Sequence, residues 1–258
     1  MKVIEYEAAM SFDSSYPPLE ANGKKLTDNK AKADAFNTFF LSHSNMDTSN
    51  AELPQMQNVY QGDTLDSIHA TELEVLDLLK SIDTNKATGP DGISPKLLKE
   101  AGSAISPSLT KLFNLSLSEC KVPKEWKKAD VVPLHKKNAK SIADNYRPVS
   151  LLSCVSKLLE RLVFKHMYNY FKEHFIISIH QSGFKIGDST VHQLSFLYHM
   201  FCSAIDEKKD VRIVFCDIKK AFDRMWHSGL LYKLEKCGIT GPLLRWLKDY
   251  LTERYQRV

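Results

Sequence analysis

The stretch VRIVFCDIKKAFDRMWH, Val211–His227, decides the fold that this sequence predicts. Its first six residues form a short, nearly continuous apolar run, which is typical of a buried strand. The run ends at Asp217, so the strand delivers a carboxylate where it can project into a cleft. Carboxylate oxygens suit Mg²⁺, which binds one or two of them together with substrate phosphates. Asp217 is therefore a candidate metal ligand, and the alternative is an aspartate that caps the next turn.

A second carboxylate, Asp223, follows six residues later, after the small Ala221 and the aromatic Phe222. It is a candidate for a second metal ligand. A helix cap or an ion pair with Arg224 explains it equally well.

Helical patterns lie on both sides of the predicted strand. An amphipathic pattern covers Thr190–Asp206, and two shorter ones run near Ser228–Lys236 and Pro242–Leu251. Between these two, Gly238 fits a helix stop. Further upstream, a long apolar face begins at Leu152.

Helix-capping patterns predict further helices nearer the N-terminus. Thr71-x-x-Glu74 is a capping-box pattern, and serine–proline pairs at Ser94 and Ser106 predict two more helix starts. Residues 129–134, ADVVPL, read as a strand that Pro133 confines to an edge or a strand end. Many helices with few strands predict an α+β fold.

The first 70 residues contain one convincing helix, near Asn29–Ser42, followed by a polar, turn-rich segment from His43 to Gly62 that reads as a linker or loosely packed arm. No run approaches the ~20 uncharged apolar residues of a membrane helix. The five cysteines are widely spaced, and reduced thiols in an intracellular protein are the simplest interpretation.

Charge is unevenly distributed along the chain. Residues 1–70 hold five Lys/Arg against ten Asp/Glu, whereas residues 121–172 hold twelve against four, a balance of +8. A concentrated basic segment suits a polyanionic partner, although solvated lysine-rich faces are common.

Two polar segments are candidates for phosphate contacts. The pair formed by residues 131–137 and 145–150 places Lys136, Lys137 and Arg147 on neighbouring strands, where they can bind phosphate oxygens. The segment Gln181–Thr190 offers glycines and hydroxyls to a nucleic-acid backbone. The alternatives are a solvated basic loop for the first and a plain loop with a helix N-cap for the second.

Taken in order, five motifs resemble the reverse transcriptases of non-LTR, jockey-like retrotransposons. They are Lys86–Pro95, Trp126–Lys137, Tyr146–Leu152, Gln181–Phe184 and Phe215–His227. The resemblance spans roughly residues 65–258. The segments LTDN at 26–29 and AFNTFF at 35–40 resemble the stretch that links an upstream endonuclease to the polymerase in that family, and the endonuclease itself is not in this chain.

The resemblance implies a right-hand polymerase fold with helix-rich fingers and an incomplete palm. It divides the chain into an extension at residues 1–64, a fingers-like part at 65–210 and the start of the palm at 211–258. It implies RNA-templated DNA synthesis inside the cell, in nucleus or cytoplasm, with an RNA template, a DNA primer and deoxynucleoside triphosphates as partners and no membrane.

The resemblance also assigns roles to individual residues. Asp217 and the backbone carbonyl of Ile218 bind two Mg²⁺ ions in the complete enzyme. Phe222, beside Ala221, packs under the incoming sugar and excludes a 2′-hydroxyl. Lys136 or Lys137, with Arg147, holds the triphosphate. The loop of Gly183, Phe184 and Lys185 contacts the template strand.

Departures from the family pattern limit what this polypeptide is expected to do alone. Asp188 stands where a basic residue is usual. The chain contains neither the Tyr-x-Asp-Asp turn nor the Pro-Gln-Gly segment of the family palm, and it holds no Asp-Asp dipeptide. We therefore expect a C-terminally truncated fragment, without its later palm and thumb, that is inactive by itself.

Two other functions compete with a polymerase fragment. One is a non-catalytic RNA-binding module derived from a retroelement, a retained fingers domain that binds RNA without catalysis. The other, a Mg²⁺-dependent phosphohydrolase built on Asp217, predicts a second aspartate two residues later, where Lys219 stands.

Overall fold

The structure, a computed structural model, describes residues 2–3, 16–21, 23–44, 48, 50–53, 55 and 60–258. The α-helices in these residues are α1 (Asn29–Ser44), α2 (Glu72–Lys80), α3 (Pro95–Glu100), α4 (Gly102–Ser118), α5 (Cys154–Glu173), α6 (Thr190–Asp206), α7 (His227–Lys236) and α8 (Gly241–Leu251). The strands are β1 (Lys2–Val3), β2 (Leu19–Ala21), β3 (Lys24–Leu26), β4 (Lys128–His135), β5 (Tyr146–Leu151) and β6 (Tyr255–Arg257), and 3-10 turns cover Lys124–Lys127 and Ala143–Asn145. This mixture of helices and small sheets confirms the α+β class.

Helix starts follow the predicted capping chemistry in two cases. At α2, the Thr71 hydroxyl accepts from the Glu74 amide while the Glu74 carboxylate accepts from the Thr71 amide, so the capping box is complete. At α3, Ser94 accepts from the Leu97 amide and Pro95 occupies the first turn. Both caps join residues within three positions of each other, so the local sequence is sufficient to predict them.

Helix α4 corrects one prediction. The serine–proline pair at Ser106 does not open a helix, because α4 begins at Gly102 and Pro107 lies inside it. Proline has no N–H to donate to the carbonyl four residues earlier, at Ser103. The Ser106 hydroxyl lies 3.4 Å both from that carbonyl oxygen and from a carboxylate oxygen of Glu72, so its single proton has two possible acceptors.

The main core lies where α2, α4, α5, α7 and α8 meet. Its fully buried side chains include Leu79, Phe113, Leu162 and Trp246. The Trp246 indole donates a 3.0 Å hydrogen bond to Ser116 inside this core, so its polar N–H is satisfied where water is excluded. Burial of these large apolar side chains is the dominant favourable term in the folding of this part of the chain.

The four-stranded sheet has the order β1–β6–β4–β5, with β4 and β5 antiparallel and the other pairs parallel. Pro133 on β4 faces Pro148 on β5. The Lys136 amide bonds the Asn145 carbonyl at 2.8 Å, and the alternation of the ladder therefore makes the proline pair a non-hydrogen-bonded one. On the other side β6 covers only Lys128–Asp130, so Pro133 lies on a free strand edge within the described residues, as predicted.

A smaller core joins α1 to one face of the β4–β5 hairpin. Its buried members are Leu19, Phe36, Phe40, Val131 and Tyr146, with the Phe36 and Tyr146 rings 4.8 Å apart. The predicted helix near Asn29–Ser42 is therefore confirmed and extends to Ser44. Much of the predicted linker from His43 to Gly62 lies outside the described residues.

The prediction of a buried strand over Val211–Cys216 is wrong. This segment carries no regular secondary structure, and Val214 and Phe215 are 84% and 87% exposed. A strand is stable when neighbouring strands satisfy its backbone N–H and C=O groups, and none of the described strands lies beside this segment. The preceding helix α6, whose predicted bounds are confirmed, likewise buries none of its residues against the described part of the chain.

No helix in the described residues is both long and apolar enough to cross a bilayer. All five cysteines are free thiols. Gly238 has φ of +88° just after α7, in the left-handed region that favours glycine at a helix stop, as the sequence predicted.

Candidate functional site

Asp217 lies two residues before a tight turn over residues 219–224, and the segment from Asp217 to Arg224 is called the Asp217 turn below. Its side chain is exposed, and it forms no ion pair or hydrogen bond with any residue that the structure describes. Within the turn, the Arg224 amide donates to the Lys220 carbonyl at 3.0 Å. The carboxylate therefore has no partner among the described residues.

Lys220 anchors this turn to two other parts of the fold. Its ammonium donates a 2.8 Å hydrogen bond to Asp144, in the 3-10 turn before β5, and lies 4.7 Å from the centre of the Phe39 ring on α1. The hydrogen bond from Lys220 lowers the pKa of Asp144. These contacts place the Asp217 turn against both α1 and the β4–β5 hairpin, which is called the basic hairpin below because it carries Lys136, Lys137 and Arg147.

His43, one turn after Phe39, belongs to the same cluster. The two rings meet edge-on with 4.6 Å between their centres. Burial and the neighbouring Lys220 charge lower the pKa of His43, so its neutral form is favoured beside the lysine.

The predicted template loop and the predicted sugar-packing residue are in contact. The rings of Phe184 and Phe222 lie 6.0 Å apart in an edge-to-face arrangement, and both are largely exposed. Gly183 has open space where a Cβ would stand, so packing in this structure does not require a glycine there. An open aromatic pair therefore stands beside the turn that carries Asp217.

The segment Gln181–Thr190 also provides the N-cap of helix α6. Ser189 caps α6 by accepting from the His192 amide, and the Asp188 carboxylate accepts from the Ser189 amide at 2.7 Å. This backbone bond lowers the pKa of Asp188. The N-cap interpretation of this segment is thus confirmed, and Asp188, which departs from the family pattern, is engaged locally.

The three predicted phosphate-binding cations belong to the β4–β5 hairpin. Arg147 faces Leu134 across the ladder, and Lys136 and Lys137 follow directly after β4. All three cationic side chains are exposed. Because Asp144 lies three residues before Arg147 and holds Lys220, the hairpin is fixed next to the Asp217 turn.

The described residues do not assemble a metal centre. Within them, no three His, Cys, Asp or Glu side chains lie together in a way that would hold a metal ion. Asp217 supplies a single free carboxylate, with the carbonyl of Ile218 next in the chain. A two-metal site requires more ligands than this pair offers.

Sequence reasoning missed Phe39, His43, Asp144 and Lys220 as parts of the site. Phe39 belongs to the helix predicted near Asn29–Ser42, but a helical pattern does not reveal what each side chain packs against. Asp144 and Lys220 are 76 residues apart, and no periodic pattern links two charges at that separation. Their pairing follows only from the tertiary fold.

Comparison with known proteins agrees with the motifs. Residues 134–258 match the family "Reverse transcriptase (RNA-dependent DNA polymerase)". The chain is 36% identical over 182 residues to a probable RNA-directed DNA polymerase from transposon BS of Drosophila melanogaster, which covers 70% of this chain and 20% of that protein. It is 34% identical over 183 residues to the probable polymerase from transposon X-element of the same species, with the same two shares.

A third relative is the RNA-directed DNA polymerase from mobile element jockey of Drosophila melanogaster, at 31% identity over 182 residues, again 70% of this chain and 20% of the relative. The chain thus spans about a fifth of the length of the curated relatives that it matches. The predicted resemblance to non-LTR retrotransposon enzymes is confirmed, and residues 134–258 belong to the reverse transcriptase family of RNA-directed DNA polymerases.

Proposed function

We propose that the chain forms the fingers and the first part of the palm of a retrotransposon reverse transcriptase that acts inside the cell, in nucleus or cytoplasm. In this proposal residues 1–64 are an extension, residues 65–210 form the fingers and residues 211–258 begin the palm. The substrates are an RNA template, a DNA primer and deoxynucleoside triphosphates. Relatives named as RNA-directed DNA polymerases support this assignment.

One observation carries the proposal: the turn with the free Asp217 carboxylate is attached to the basic hairpin and touches the predicted template loop. The first link is the Lys220–Asp144 bond, and the second is the contact between Phe222 and Phe184. A nucleotidyl-transfer site needs a metal-binding carboxylate, cations for the triphosphate and a template contact within one cleft.

The metal part of the proposal is limited to Asp217. Reverse transcriptases use divalent metal ions, and we assign to Asp217 one carboxylate of a site for two Mg²⁺ ions, beside the carbonyl of Ile218. The remaining ligands come from elsewhere in the polymerase, since no three His, Cys, Asp or Glu side chains of the described residues lie together in a way that would hold a metal ion.

The remaining roles follow from chemistry and exposure. Arg147 offers a bidentate fork to the triphosphate, and Lys136 or Lys137 adds a point charge. Phe222, with Ala221 beside it, packs under the incoming sugar. The exposed Phe184, with Gly183 and Lys185, meets the template strand, where an aromatic face can stack on a base.

Binding of an RNA–DNA primer–template to the purified chain tests the proposal. Affinity is measured by fluorescence anisotropy from 50 to 400 mM salt, where we expect a steep loss, because each neutralised phosphate releases counterions. Lys185→Ala should weaken binding and reduce the salt slope by about one. The matched control is Lys96→Ala, since Lys96 is equally charged but lies on α3 beside Glu100.

Triphosphate binding is measured separately with a fluorescent deoxynucleotide. Arg147→Ala should weaken it while leaving primer–template affinity nearly unchanged. A primer–template affinity that stays flat across the salt range, or that falls equally with Lys96→Ala and Lys185→Ala, would contradict the proposal.

A further inference from the structure

Helix α1, in the N-terminal extension, touches the turn that carries Asp217. Phe39 and His43 lie on the last turns of α1, and the Phe39 ring meets the Lys220 ammonium at 4.7 Å. The same ammonium hydrogen-bonds Asp144 at 2.8 Å. One side chain therefore joins the extension, the basic hairpin and the Asp217 turn.

The backbone at Lys220 is unusual for a lysine. Its φ of +56° lies in the left-handed region, which residues with a Cβ adopt rarely. Such a conformation persists when surrounding contacts determine it, and these residues cluster at functional sites. At Lys220 the ammonium is held between a carboxylate and an aromatic face.

We propose that Lys220 is a positioning residue, which uses Asp144 and Phe39 to lock the turn after Asp217 onto helix α1 and the β4–β5 hairpin. The inference rests on the proposed function, since locking this turn matters to catalysis only if Asp217 serves the polymerase. It assigns to α1, in the extension that precedes the fingers, a direct part in ordering the site.

The adjacent Lys219 provides an internal control. It lies 4.0 Å from the other oxygen of Asp144, but its side chain is 76% exposed, whereas that of Lys220 is 20% exposed. The ring of Phe39 faces Lys220. Both lysines carry the same charge towards the same carboxylate, but only Lys220 is shielded, hydrogen-bonds Asp144 at 2.8 Å and meets the ring of Phe39.

Hydrogen–deuterium exchange of the full chain tests this directly. The reporter is the Arg224 amide, which is bonded to the Lys220 carbonyl and is protected while the turn holds its shape. We expect Lys220→Met to speed its exchange about tenfold, since a shielded charge pair and a cation–π contact are both lost. Lys219→Met should leave the rate within about twofold of the parent, as expected for an exposed pair.

Two further variants separate positioning from general packing. Lys220→Arg keeps a cation for both partners and should restore protection of the Arg224 amide. Phe39→Leu keeps an apolar side chain but removes the aromatic face, so it should speed exchange by a few-fold. The Val75 amide, on α2 in the main core, serves as the control. Faster exchange there would indicate that the whole protein is destabilised.

The inference is overturned if Lys220→Met exchanges like the parent, if Lys219→Met has an equal effect, or if the Val75 amide accelerates in parallel. Failure of Lys220→Arg to restore protection also counts against it. Because the exchange is measured without nucleic acid or metal, it remains informative if the chain fails to bind primer–template, which would contradict the proposed function alone.

Discussion

The side-chain amide of Gln256 donates a 3.0 Å hydrogen bond to the side-chain carbonyl of Asn37, across 219 residues of sequence. Both side chains are buried, with 5% and 6% of the Asn37 and Gln256 surfaces exposed. Helix α1 is thereby tied to β6, the strand that pairs with β4. The same helix that contacts Lys220 therefore also fixes an interior strand of the sheet.

Removal of one partner of this bond should destabilise the protein. Asn37→Ala leaves the Gln256 amide buried without its acceptor, which costs about 1–3 kcal/mol in the free energy of unfolding. Urea denaturation followed by circular dichroism gives the value. A double-mutant cycle with Gln256→Ala should show a coupling of about 1 kcal/mol, and strict additivity would refute the contact.

We expect the ion pair between Lys127 and Asp249 to contribute more to the free energy of unfolding than the hydrogen bond between Asn37 and Gln256. Their charged atoms are 2.9 Å apart and the Lys127 side chain is only 4% exposed. Asp249 also accepts from the Val122 amide at 2.7 Å. Asp249→Ala strands a buried ammonium and an amide donor, so we expect a loss of about 3 kcal/mol in denaturant unfolding.

Asp249→Asn is the matched control for that loss, because it keeps an acceptor for the Val122 amide and removes only the charge. It should cost less than Asp249→Ala, and adding Lys127→Met to Asp249→Asn should recover part of the stability. An Asp249→Asn variant as stable as the parent would show that the charge is unimportant.

Glu74 makes stability depend on pH in the acid range. Burial alone would raise its pKa, but hydrogen bonds from Lys165 and Thr71 lower it from 4.5 to about 2. A carboxylate with a lowered pKa in the folded state stabilises the fold above pH 4.5, and this contribution is lost as the pH falls towards 2. Part of the side chain remains in water, so we expect about 1–2 kcal/mol rather than the full value of the shift.

Glu74→Gln isolates the charge, because glutamine also satisfies a capping box. The variant should be less stable than the parent at pH 7, and the difference should shrink steadily below pH 4.5. Denaturant midpoints at pH 7, 4 and 3 measure this. A difference that does not change with pH would mean that the charge of Glu74 contributes nothing.

The purified 258-residue chain should not extend a DNA primer on an RNA template. Two Mg²⁺ ions about 3.5–4 Å apart need several carboxylates, and no three His, Cys, Asp or Glu side chains of the described residues lie together in a way that would hold a metal ion. Incorporation of a labelled deoxynucleotide with Mg²⁺ measures this, with an active reverse transcriptase as the positive control. Extension that Asp217→Asn abolishes would contradict the expectation and show a complete site.

Local signals account for what could be predicted of the fold. The complete capping box at Thr71 and Glu74, the Ser94 cap and the bounds of α6 follow from side-chain–backbone bonds within four residues. The predicted start of α4 is wrong because the helix begins at Gly102 and contains Pro107 in its interior. Nothing in a serine–proline pair distinguishes these two outcomes.

Non-local requirements explain the main error, at Val211–Cys216. An apolar run of six residues describes a segment that can be buried, but burial needs strands on both sides to pair with it. Within the described residues these are absent, and the segment stays exposed. The candidate site shows the same limit. Asp217 is a candidate because it directly follows an apolar run, whereas the contacts of Lys220 with Asp144 and Phe39 appear only in the tertiary structure.

The sequence by itself determined the family, the α+β class and most helix bounds, because these depend on local order along the chain. Only the tertiary structure decided that Lys220 meets both Asp144 and Phe39, and that Asn37 meets Gln256. Helix bonds join residues four apart, whereas these contacts join residues 76 or more apart and form only when packing brings their elements together.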